Sequence, residues 1–235
     1  MYETPRLALL FPLLLLAACQ AVAPAGDSAV LVDRADSAVS LPADAPRYIV
    51  DPDSSEIRLL VYRAGPLARF GHHHVITGRV HGEIRAGKDA AGSGFRLEMP
   101  VASFVVDPPG ARAEEGGEFS SPVSEPARQG TRENLLGKEV LDAEHYPLIE
   151  IGSIALVGPR WNPTVLARAT LRGATRDLRF RAAVFEQDDR LTVIASLRIR
   201  QSDFGITPFQ ALSGGLQVGD AIDIRIRLVA HAAHG

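Results

Sequence analysis

A side-chain alternation with a period of two, returning in segment after segment, constrains this chain more than any other feature. Ile57, Leu59 and Val61 share one face of "SEIRLLVYRA". Val165, Ala167, Ala169 and Leu171 do the same in "TVLARATLR", and Leu178, Phe180, Ala182 and Val184 in "DLRFRAAVFE". Leu191, Val193, Ala195, Leu197 and Ile199 follow, then Ile222, Ile224, Ile226 and Leu228 against Asp223, Arg225 and Arg227. Alternation of this kind marks antiparallel strands with one buried and one wet face. Long strands joined by turns as short as "RGATRD" and "EQDDR" build a barrel or a sandwich.

Two segments leave the pattern. "TRENLLGKEVLDAEHYP" carries Leu135, Leu136, Val140 and Leu141 at helical spacing, with Thr131 as cap and Pro147 as stop, so one short helix is expected there. Residues 107–130 have no period and are expected to form a long flexible insert loop.

The N-terminus is read separately from the fold. Residues 1–18 have a polar head with Arg6, an apolar run from Leu7 to Leu16 and then small residues, the layout of a secretory signal. The run is too short for a spanning helix, which needs about 20 apolar residues. "LAAC" resembles a bacterial lipobox and places Cys19, the sole cysteine, at the lipidation position. Gln20 after it is similar to lipoproteins sorted to the outer membrane of Gram-negative cells. Residues 19–46, rich in Ala, Asp, Ser and Pro, read as a lipidated cysteine and flexible tether, and 47–235 as one domain. The expected location is the periplasm, with the lipid as the membrane anchor. A net charge of −3 gives no basic excess for nucleic acid.

"FGHHHVITGRVHGEIRAG" holds four of the seven histidines. Read as one strand from Phe70 to Ala86, it puts Ile76, Val80 and Ile84 on the apolar face. His72 and His74 fall on that inner face, and His73 and His81 on the outer one with Arg79, Glu83 and Arg85. His73 and His81 are therefore expected in solvent, and His72 and His74 near one mouth of an aliphatic interior.

"YIVDPDSSEIRLLVYRAG", "TGRVHGEI", "VLDAEHYPLIEI", "ATLRGATRDLRF" and "QSDFGI…VGDAIDIRIRLVA" together resemble the YceI-like family, in register over residues 47–231. The resemblance implies an all-β, lipocalin-like antiparallel barrel of about eight strands with one short helix. It also implies a polyisoprenoid or similar amphiphile, such as a quinone, in the lumen. The chain departs from the family in having Gln201 where many members carry Arg, in the histidine-rich "GHHHV", and in the acidic insert with Glu114, Glu115 and Glu118.

On this reading the lumen is lined by Ile76, Val80, Leu97, Ala169, Phe180, Val193, Leu197 and Ile224. Inward alanines leave room for one slender ligand, which an eight-stranded barrel is just wide enough to hold. His72, His74 and Gln201 are the candidates for a ligand's head group or, for the histidines, a transition metal. Two ligands fall short of the four of a closed zinc site, and Glu114, Glu115 and His231 are the candidates to complete one. Neither a Gly-x-Ser-x-Gly elbow, a His-Glu-x-x-His pair nor a phosphate loop occurs, so a binder is expected rather than an enzyme. The alternatives are a ligandless envelope interaction module and a metal-binding barrel using His72 and His74.

Overall fold

The computed structural model describes residues 30–32, 38–39 and 41–233. In chain order the elements are β1 (Val30–Val32), β2 (Arg47–Val50), β3 (Glu56–Ala64), β4 (His74–Gly78), β5 (His81–Arg85), β6 (Gly94–Pro100) and β7 (Val105–Val106). Then come α1 (Pro109–Glu115), α2 (Glu125–Leu136), β8 (Leu148–Val157), β9 (Thr164–Leu171), β10 (Ala174–Gln187), β11 (Arg190–Arg200), β12 (Gln210–Ala211) and β13 (Leu216–Ala232).

These strands close into an antiparallel barrel of eight walls. β13 pairs with β11 on one side and with β3 and β2, end to end, on the other. β4 and β5 form the next wall against β3 and β2, and β7 and β6 the one after. β8, β9 and β10 follow in order, and β10 returns to β11. The expectation of an all-β, lipocalin-like barrel holds, and the alternating faces give it its inside. Ile57, Val165, Ala167, Leu178, Leu191, Leu197 and Leu228 are all buried.

The histidine segment is two strands rather than one, broken at Arg79 and Val80. The break lets β4 follow β3 and β5 follow β2. Glycines on either side of it have no room for a side chain. A Cβ on Gly78 would lie 2.5 Å from the Phe104 ring, and one on Gly82 (φ 143°) would lie 2.1 Å from the Arg96 carbonyl oxygen.

The expected flexible loop at 107–130 is instead a helical layer. α1 opens on Pro109, a residue suited to a first turn, and a single 3-10 turn follows at Gly117–Phe119. Together they lay Ala111 and Phe119 over Leu60 and Val75 on the outer wall of β3 and β4. Those outward side chains are the physical reason: "LLV" at 59–61 and "VI" at 75–76 are buried on both faces, and the outer face needs a cover. Burying side chains such as Leu60 and Phe119 contributes about 1.5–3 kcal/mol each. Carboxylates reinforce the cover. Glu115 accepts from Arg58 at 2.9 Å and from Arg225 at 2.6 Å, and Glu114 from Arg58 at 2.9 Å. Burial alone would lower the Arg58 pKa, but its hydrogen bonds to Glu115, Glu114 and Glu56 outweigh that and raise it.

The expected single helix also shifts. α2 starts six residues before Thr131, capped by the Ser124 hydroxyl, which accepts from the Ala127 N–H, with Pro126 in its first turn. It ends at Gly137, and Val140 and Leu141 are buried in the turns beyond it rather than on a helix.

The segment expected as a free tether is bound to the barrel where it is described. β1 pairs with Asp177–Arg179 of β10, along the stretch of that strand beyond its pairing with β11. Val39 rests on β8, where a Cβ at Gly152 would lie 2.5 Å from it. The Ala43 and Ala45 carbonyls accept from Arg85.

Candidate functional site

The barrel opens where β3 ends and β13 begins. A cavity of about 260 Å³ lies there, bordered by His72, His74, Arg63, Gln201 and Gln217, with Thr131 and Asn134 of α2 on one side. Beneath it is a second space of about 130 Å³, in whose lining Gln201 is the single polar side chain among the described residues. A third, of about 90 Å³, lies towards the β10–β11 turn. Val61, Ile76 and Gln201 line both the first and the second; Phe180 and Ile226 line both the second and the third. The three are therefore consecutive parts of one lumen, polar at its mouth and apolar below. An apolar cavity of about 150 Å³ stays dry and takes up benzene, so the inner spaces are of a size that favours hydrocarbon over water.

Most of the residues expected in the lumen are there. Ile76 lines the mouth and the middle space, Ala169, Leu197 and Ile224 the middle, Phe180 the middle and the far one, and Leu97 and Val193 the far one. Val80 is fully buried in the core but lines none of the three, because it sits at the break between β4 and β5. Cys19 lies outside the described residues.

His72 and His74 both border the mouth, their ring centroids 6.4 Å apart. The expectation for His73 fails. It is on the outer face, as parity requires, but it is buried there beneath the helical layer, between the rings of Tyr62 (5.5 Å) and Phe119 (5.6 Å). Its Nδ1 has no hydrogen-bond partner among the described residues. His81 is exposed, as expected.

Sequence reasoning missed the group that holds this end together. His74 Nδ1 lies 2.7 Å from Asp107 Oδ2, and Asp107 is wholly buried. The other carboxylate oxygen accepts from the Val75 N–H at 2.9 Å and from Arg112 Nη1 at 2.7 Å. Arg112 also donates to the His73 carbonyl at 2.7 Å and to the Ser121 carbonyl at 2.8 Å. One carboxylate thus ties the mouth histidine to α1. It also fixes the orientation of the His74 ring through Nδ1. "DPPGAR" carries no periodic signal of this; Asp107 reads as turn chemistry, and its φ of 50° agrees with that.

Burial alone would raise the Asp107 pKa, but the His74 hydrogen bond, the Val75 N–H and the Arg112 charge outweigh it and hold the carboxyl below its ordinary value. Burial, followed by the charges of His74 and Arg112, lowers the His72 pKa. Burial lowers that of His73 as well. The mouth thus offers the His72 imidazole together with amide and guanidinium donors, a set suited to a polar or anionic end group.

The residues considered as further metal ligands are elsewhere. Glu114 and Glu115 face Arg58 and Arg225 on the outer wall, and His231 lies near Asp51 at the far end. Among the described residues no group of three His, Cys, Asp or Glu side chains converges to hold a metal ion.

Gln201 takes its place from a 3-10 turn at Gln201–Phe204 after β11. Its amide donates to the Gly219 carbonyl of the neighbouring β13 at 2.9 Å, which fixes the side chain on the wall between the mouth and the space beneath it.

Comparison with known proteins fits this architecture. BcnA of Burkholderia cenocepacia superposes with a TM-score of 0.58 at 17% identity, over 77% of this chain and 98% of that one. A polyisoprenoid-binding domain from Saccharophagus degradans, implicated in plant cell wall breakdown, superposes with a TM-score of 0.52 at 12% identity, over 79% and 98%. At such identities the likeness concerns the fold. No curated protein matches the chain. The family described as the YceI-like domain matches residues 48–230, nearly the whole barrel and its mouth, and the chain belongs to that family.

Proposed function

We propose that the protein binds one long-chain amphiphile, a polyisoprenoid, quinone or similar lipid. The chain lies in the lumen, and the polar end meets His72, His74 and Gln201. The observation that carries this reading is the continuity of the polar mouth with two apolar spaces beneath it. The polyisoprenoid-binding domain of similar fold and the family match support the same ligand class. Each methylene moved from water into such a lumen contributes about 0.8 kcal/mol, so a long chain binds tightly without specific polar contacts. Mass spectrometry of organic extracts of the purified protein is the test. A stoichiometric lipid is the expected result; a lipid-free protein that also fails to take up added polyprenol or quinone would instead favour a ligandless interaction module.

The protein is further proposed to be an exported lipoprotein, anchored through Cys19 to the outer membrane of a Gram-negative cell. Support comes from the "LAAC" motif and from the absence of any other cysteine. Cys19→Ser is expected to move the protein from the membrane fraction to the soluble periplasm on cell fractionation. Retention of the variant in the membrane fraction would refute the lipid anchor.

A further inference from the structure

We propose that the rim of the mouth is a docking surface for a lipid bilayer. The inference rests on the ligand reading above and adds where the ligand is exchanged. Two loops form this part of the rim, residues 65–71 between β3 and β4 and residues 205–218 before and into β13. They are held together: the Leu67 N–H donates to the Gly215 carbonyl at 2.8 Å, and a Cβ on Gly71 would lie 2.7 Å from Leu216. Each loop presents a large apolar side chain to solvent. Phe70 is 64% exposed and Leu212 is 68% exposed.

Leu212 is also held in an unfavourable conformation. It and Ser213 are consecutive non-glycine residues in the left-handed region, with φ of 51° and 52°. A leucine rarely adopts that region, and one so exposed gains no core packing by doing so. The conformation turns an apolar side chain outward beside the mouth. Backbone outliers of this kind cluster at active sites, ligand clamps and switch regions.

Charge identifies the occupant. The chain has 28 acidic residues, yet residues 65–71 and 205–218 contain none, and their single ionisable side chain is Arg69. The Arg69 guanidinium lies 4.5 Å from the centroid of the Phe70 ring. An apolar tip carrying one cation and no anion suits insertion between headgroups, with the guanidinium at the phosphate level. A bilayer is also the phase in which a long-chain amphiphile dissolves. A rim set into it lets the chain enter the lumen without crossing water.

The proposed anchor has the reach to permit this. About eleven residues separate Cys19 from Val30, which pairs with Arg179 of β10. Eleven residues extend to roughly 36 Å. The run along β10 from Arg179 back to Ala174, at the mouth end, is roughly 17 Å.

The far end of the barrel provides an internal comparison, because Val157, Trp161 and Phe185 are exposed there to a similar degree. The mature chain from residue 20 onward, which carries neither the apolar leader nor the acylation site, is co-sedimented with vesicles of phosphatidylethanolamine and phosphatidylglycerol. Phe70→Asp and Leu212→Asp are each expected to weaken vesicle binding roughly tenfold or more, the fold-change that burying one such side chain corresponds to. Trp161→Asp and Phe185→Asp are expected to leave it unchanged. Leu212→Asp is expected to retain the parent's melting temperature and its co-purifying lipid.

Three results overturn the docking surface: no vesicle binding by the parent, equal binding by parent and rim variants, or loss only with the Trp161 and Phe185 variants. The two readings fail separately. Rim-dependent vesicle binding by a lipid-free protein would sustain docking and sink the lumen reading. A lipid-loaded protein indifferent to the rim substitutions would do the reverse.

Discussion

Asp107→Ala lowers the free energy of unfolding by about 3–5 kcal/mol, the range observed when one partner of a buried ion pair is removed. The size follows from what is left behind. Arg112, its side chain 9% exposed, keeps its charge but loses its carboxylate. The Val75 N–H loses its acceptor and His74 loses the oxygen that fixes its ring. Alanine is also unfavourable at a φ of 50°. Asp107→Asn keeps the shape and an oxygen for Val75 but removes the charge, so it falls between wild type and alanine. Urea unfolding of the three proteins measures the order, and equal midpoints would refute the role assigned to the carboxylate.

The same group gives stability a definite dependence on pH. The folded carboxyl of Asp107 is depressed, so its contribution is fully present above the ordinary carboxylate value, near ~3.9, and is lost as pH falls through the folded value. His72 and His73 are depressed too, so below ~6.5 the unfolded chain binds more protons than the folded one and stability declines. Acid therefore lowers stability in two steps. The Arg160 hydrogen bond holds Glu186 down and the Arg198 hydrogen bond holds Asp223 down as well, so Asp107→Ala reduces the lower step without abolishing it.

Ala169→Phe reduces lipid recovery at least roughly tenfold while the barrel still folds. Ala169 is buried, projects from the middle of β9 and lines the central space of about 130 Å³. A benzyl group matches the benzene that fills a cavity of about 150 Å³, so the ring occupies the lumen with little rearrangement. Ala195→Phe acts in the far space of about 90 Å³, where the fit is tighter and overpacking costs about 1–3 kcal/mol. It is expected to shorten the recovered lipid rather than exclude it. Extracts of both variants, weighed against their melting temperatures, separate plugging from misfolding. Undiminished lipid in Ala169→Phe would place the ligand elsewhere.

The barrel was legible because its strands obey one rule. A residue such as Leu197 or Ile224 has a single parity, and parity alone assigns it to the lumen. The same rule placed His72 and His74 at the mouth. It misjudged His73, because parity states which face a side chain is on and not what covers that face. The cover had a signal, the unbroken "LLV" of β3, which marks a strand buried on both sides. Helix α2 was misplaced by weighting apolar spacing over its start, since "SEP" at 124–126 carries the cap and the first turn while "ARQG" after it offers one apolar side chain. Asp107 and Arg112 were beyond sequence reasoning. Their partners His74 and Ser121 come from other segments, and the buried pair exists only once the chain has closed. β1 is the opposite case, a three-residue "VLV" in a polar stretch that finds a partner because β10 outruns β11.

Phe180 and Ile226 line both the middle of the lumen and its far end, so they mark a fixed depth below the mouth, as a graduation on a ruler does. A chain that stops short of these two side chains leaves them at rest and fills the aliphatic middle. A longer chain passes these two side chains to reach Leu97 and Val193. A headgroup held at the mouth sets the zero of the scale. On the proposed reading, the length of the tail then decides whether a bound chain occupies the central space alone or the far space as well.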